Sequence, residues 1–128
     1  MAVEEIEFLS ETKHIVDFSN SFRGCRELKR IKGLDLSGVY AAHGITNLFY
    51  LCKALEECVI SGTLKILTNN FRIDGSPLLT VESLMSFINA FADNTGSPTR
   101  TLYFGEENLA KLTDEQKAIA TNKNYILA

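Results

Sequence analysis

Two histidines and three cysteines are the residues of this chain best equipped for chemistry. His14 and His43 precede Cys25 and Cys52 at comparable spacing. Imidazole and thiol together could bind zinc or form a Cys–His nucleophile pair. The spacing supports neither. No Cys-x-x-Cys or His-x-x-x-His pair places two ligands locally, as structural zinc sites do. Cys25 and Cys52 fall at repeat-core positions, where apolar burial raises a thiol's pKa and makes it inert. Gly33, Gly38, Gly44, Gly62, Gly75, Gly96 and Gly105 are scattered over turns, with no phosphate-loop pattern. The reading is therefore a non-enzymatic chain with no catalytic, metal or cofactor residues.

Charge gives two further candidates. Glu4, Glu5 and Glu7 could hold a cation, but carboxylates on a first strand more often keep an edge soluble and unpaired. The basic run Arg23, Arg26, Lys29, Arg30 and Lys32 could meet an acidic partner, and is expected to be a solvated turn face. The net charge of −3 gives no electrostatic reason to expect nucleic acid. No apolar run approaches the ~18 residues of a membrane span. Met1-Ala-Val-Glu-Glu-Ile-Glu7 lacks the basic and apolar regions of a signal peptide. A cytoplasmic or virion-associated setting is thus expected ahead of secretion.

The elements that would position these residues are announced by an internal repeat. Phe22-Arg-Gly-Cys25-Arg-Glu-Leu28 closes on Leu34-Asp-Leu36-Ser-Gly38. Phe49-Tyr-Leu-Cys52-Lys-Ala-Leu55 closes on Cys58-Val-Ile60-Ser-Gly62. Phe, Cys and Leu recur at identical spacing. A unit of about 20–30 residues cannot bury its own apolar face and must stack on a neighbour. Cys25 and Cys52 should then lie one above the other, about 4.8 Å apart. A disulfide is conceivable at that spacing, but two reduced, buried thiols are the expected state, since the cysteine count is odd.

Apolar-x-apolar cores mark strands at Ile6–Phe8, Leu34–Leu36, Cys58–Ile60, Phe71–Ile73, Leu102–Phe104 and Tyr125–Leu127, forming one mainly parallel sheet. Helices return the chain over Thr80–Ala92, with Thr80 as N-cap, and from Thr113, where Thr113-Asp-Glu-Gln116 is a capping box. His14 to Cys25 and Ala41 to Leu55 are short helices or irregular turns. Phe22, Leu28, Phe49, Leu55, Leu84, Ile88 and Ile119 are the expected core.

These residues resemble a BspA-like leucine-rich repeat protein. The likeness rests on the two repeats, on Ile45-Thr-Asn-Leu-Phe-Tyr-Leu-Cys52-Lys-Ala-Leu55, and on the segments Ser76–Ala90 and Asn108–Asn124. It covers roughly residues 15 to 128. Related proteins occur in Firmicutes, Bacteroidetes and their phages, often as surface or virion components. The resemblance implies an α/β fold: a short right-handed leucine-rich-repeat solenoid of stacked, mainly parallel strands, with helices or irregular turns opposite. It implies one domain over 1–128, with irregular repeats in 1–75 and helix–strand closing repeats in 76–128. It brings no catalytic motif.

Function then falls on the outward row of the strands. Alternation points Glu7, Asp35, Val59, Arg72, Tyr103 and Ile126 away from the core. Val59, Arg72, Tyr103 and Ile126 are the candidate contact residues, because a soluble chain gains nothing by exposing apolar and aromatic groups together. The expected partner is another protein or a second copy of the chain, the latter in a virion or surface-appendage subunit.

Overall fold

The computed structural model describes residues 3–9, 12, 21–39, 48–64 and 70–128. His14 and His43, and most of the two weakly marked returns, lie outside them. The architecture is mixed α/β, with short parallel strands in two small sheets. One sheet has the order β1 (Glu5–Glu7), β2 (Arg30–Lys32), β3 (Glu57–Cys58). The other joins β4 (Phe71–Arg72), β5 (Arg100–Tyr103) and β6 (Tyr125–Leu127). Three helices complete the fold: α1 (Val81–Ala90), α2 (Glu106–Leu109) and α3 (Asp114–Thr121).

The single expected sheet is thus two. The basic run is corrected as well, since Arg30-Ile31-Lys32 is a strand with Ile31 buried. It tolerates its charge because β1 lies beside it in register, with Glu5 opposite Arg30 and Glu7 opposite Lys32. Glu5 binds Arg30 and Lys32, each at 3.1 Å, and Glu4 meets Lys29 at 3.5 Å. Opposite charges across neighbouring strands favour this pairing. Gly33 ends the strand at φ +76°, and a Cβ there would come within 2.6 Å of the Phe8 carbonyl oxygen, so only glycine fits.

Leu34–Leu36 is not a strand in its own right. Asp35 forms an isolated parallel bridge with Ser61, while Cys58 pairs with Ile31. The two repeats therefore align Ile31 with Cys58, and Leu36 still lies beside the segment that contains Ile60.

Successive repeat segments fold alike. Cys25 N–H donates to Phe22 O and Cys52 N–H to Phe49 O, both at 3.1 Å, and Ser76 N–H donates to Ile73 O at 3.0 Å. Two of these positions, with Asn108 after them, also bind the segments together. Cys52 Sγ donates to Phe22 O at 2.9 Å, Ser76 Oγ to Cys52 O at 3.1 Å, and Asn108 Nδ2 to Ser76 O at 3.1 Å. Cysteine, serine and asparagine thus share one structural task, and buried backbone acceptors are satisfied at each step.

Both marked helices form at their caps. Thr80 Oγ1 accepts from Ser83 N–H, and Thr113 and Gln116 make the reciprocal capping box. Lys123 Nζ closes the other end of α1, donating to Ile88 O, Asn89 O and Phe91 O, where a cation suits the helix dipole. Beyond β3, α1 replaces a further strand. Ser83 Oγ accepts from Cys58 N–H at 2.9 Å and Ser86 Oγ from Ile60 N–H at 3.0 Å.

One core cluster runs from Phe22 to Tyr125. Phe22, Leu28, Phe49, Leu55, Leu84 and Ile88 are in it as expected. Ile119 is not, at 37% exposed. It lies on the outer side of α3, whose buried contact is made by Ala120. Cys52 and Cys58 are buried free thiols as expected, whereas Cys25 is only half-buried, which corrects its expected burial.

Candidate functional site

On the outward side of β4 and β5, exposed Arg72 meets half-buried Tyr103 and Asp74. Arg72 and Tyr103 are register partners, and the Arg72 guanidinium lies over the Tyr103 ring, 4.5 Å from its centroid. Asp74 fixes the same guanidinium from the side, taking hydrogen bonds from Nε at 3.2 Å and Nη2 at 2.7 Å. This bonding holds Arg72 above its ordinary pKa, and Tyr103 and Tyr50 add smaller contributions. Arg72 is therefore charged and held on two sides, by the Tyr103 ring and the Asp74 carboxylate. A bidentate, stacked arginine has already lost the side-chain freedom that binding would otherwise cost.

Beside it lies an open hollow of about 470 Å³, lined by Tyr50, Leu51, Arg72, Asp74 and Gly75. Tyr50 is 45% exposed, and Arg23 stacks over its ring at 5.1 Å. The face therefore holds two arginine-on-tyrosine stacks. The backbone here is unusual. Gly24 adopts φ +76°, and Leu51, its counterpart in the next repeat, is forced to φ +64°. A leucine in this left-handed region is strained, and such strain collects at functional positions. Gly24 N–H donates to Tyr50 O at 2.7 Å. Leu51 N–H has no hydrogen-bond partner among the described residues.

Of the four sequence candidates, Arg72 and Tyr103 are brought into contact. Ile126 extends the same sheet, paired with Thr101 and 52% exposed. Val59 follows β3 in the other sheet and is half-buried, so the row drawn from alternation divides in two. Tyr50, Arg23 and Asp74 complete the cluster. Tyr50 and Arg23 were legible in principle, since each directly follows the repeated phenylalanine.

No family model matches the chain, and no curated protein or solved structure matches it either. The reading of the site thus rests on its own chemistry. Among the described residues, no group of three or more histidines, cysteines or acids could hold a metal ion. No helix among them is long and apolar enough to cross a membrane. Cys52 and Cys58 are poor nucleophiles. Burial pushes the Cys52 thiol up to about 11 and that of Cys58 higher still, so neither is a thiolate near neutrality.

Proposed function

We propose that this chain is a short right-handed leucine-rich-repeat solenoid of the BspA-like kind, without a catalytic centre, that binds a protein through the outward face of its strands. The repeated turn and the Cys52–Ser76–Asn108 ladder support the repeat architecture, because the segments at Cys25, Cys52 and Ser76 close in the same way and those at Cys52, Ser76 and Asn108 each bond to the one before. The observation that carries the function is Arg72, held on Tyr103 and by Asp74 at the rim of a hollow. Arginine and tyrosine dominate interface energies when they are central and rigid.

The test is the paired substitution Arg72→Ala with Tyr103→Ala, assayed for self-association by light scattering and for capture of partners from the source organism. The expected result is a folded protein that has lost its interaction. A folded double variant that keeps every interaction of the parent would overturn the reading. The structural alternative, a self-associating virion or appendage subunit, is favoured by Ile126, which is exposed on the last strand. It is distinguished by a light-scattering mass above that of one chain.

A further inference from the structure

The cations of this protein are unequally neutralised. Glu4 and Glu5 pair with Lys29, Arg30 and Lys32. Lys111 Nζ is spent on Pro77 O, Leu79 O and Asn108 Oδ1, and Lys123 Nζ on the end of α1. Arg23, Arg26 and Lys53 have no carboxylate partner among the described residues. All three are exposed, and they stand in the two repeat turns, the second of which lends Tyr50 and Leu51 to the hollow while Arg23 of the first lies over Tyr50. Arg26 and Lys53 each directly follow the repeated cysteine. Among the described residues those turns hold one opposing carboxylate, Glu27.

The hollow itself is short of acceptors. Asp74 already has both oxygens bound by Arg72. The Nη1 end of Arg72 and the Leu51 N–H carry no hydrogen bond among the described residues. A cationic guest would find its one carboxylate occupied, whereas a carboxylate guest would find two donors for its two oxygens.

We infer that the partner of this face is an acidic peptide segment, with one carboxylate in the hollow at Arg72 and Leu51 and others meeting Arg23, Arg26 and Lys53. This rests on the protein-binding reading above. A nucleic acid fits less well. Non-specific nucleic-acid affinity comes from neutralising many phosphates with lysine and arginine, and this patch offers few cations on a chain of net charge −3.

The experiment uses the full chain and fluorescence anisotropy with three short labelled peptides: alternating glutamate and glycine, its glutamine twin and its lysine twin. The glutamate peptide should bind at least about tenfold more tightly than either twin and weaken with added salt. Two variants report on the site. Arg23→Gln with Lys53→Gln removes exposed charge and should weaken binding about tenfold. Gly75→Ala keeps the charge but puts a Cβ within 3.3 Å of Leu51 N, so it too should weaken binding. Equal binding of the glutamate and glutamine peptides overturns the inference, as does undiminished binding by both variants. It is also overturned if a single-stranded oligonucleotide or a phosphatidylserine vesicle displaces the glutamate peptide at equal concentration. If the peptide fails but Arg72→Ala with Tyr103→Ala still abolishes partner capture, the strand-face reading stands and the acidic partner falls. If that double variant also keeps every interaction, both fall.

Discussion

Cys52 shows how much one buried side chain can do without reacting. Its Sγ–H ties two repeat segments together through Phe22 O, and burial, then the neighbouring Cys25, pushes its pKa from 9.0 to about 11. The sign of the linked stability follows. The folded protein keeps the thiol proton where the unfolded chain has lost it, so the stabilisation is complete below pH 9.0 and is lost as pH rises through about 11. Burial likewise pushes Tyr125 up to about 12, and its hydroxyl donates to Ala92 O at 2.7 Å, so the fall should steepen there. Urea midpoints measured across this alkaline range should decline; a flat profile would contradict the burial. In the native state, thiol reagent should label Cys25 ahead of Cys52 and Cys58, with the last two reacting fully only on unfolding. The Phe–Cys–Leu spacing made this position legible in the sequence. Its continuation through Ser76 and Asn108 was not legible, because a ladder needs a donor at each step and any small polar group supplies one.

At the scale of elements, local signals are legible in the sequence and distant ones are not. The caps at Thr80 and Thr113 lie within one turn of the groups they serve, so the sequence around them specifies α1 and α3 directly. β2 is hidden in the sequence because the carboxylate that neutralises Arg30 comes from Glu5, 25 residues away. The β3 edge was equally hidden, since Ser83 is 25 residues from the Cys58 N–H it accepts. Ser83→Ala should leave that buried N–H unsatisfied and cost about 1–3 kcal/mol. Ser86→Ala, at a half-buried site, should cost less. Urea unfolding of the two single variants checks the order. Equal and negligible losses would mean that α1 does not seal the strand.

Across the whole molecule, aromatic rings form an unbroken chain of contacts. Phe8 meets Phe22 at 6.3 Å and Phe22 meets Phe49 at 6.0 Å. Phe49 meets Phe87 at 5.8 Å, Phe87 meets Phe71 at 5.4 Å, and Phe91 then links Phe71 to Tyr125. The chain runs from the flank of one sheet to the last strand of the other. It is why the core was legible from repeated phenylalanines although the division into two sheets was not: ring contacts tolerate a broken ladder of strands, and alternation along each strand does not reveal which strands pair. Phe49→Ala should cost about 3–5 kcal/mol, a large part of the stability of a domain this size. It should also lower a single thermal transition without splitting it, because Phe49 touches rings on both sides. An unchanged melting midpoint would exclude a central role for it. The same ring chain has an optical consequence. The protein contains no tryptophan, so its ultraviolet emission comes from tyrosine. With Tyr125 5.4 Å from Phe91, light absorbed by the buried phenylalanines can be handed along to a phenol at the far end. The phenylalanine bands in the excitation spectrum of tyrosine emission thereby become a label-free gauge of whether the two sheets still share one interior.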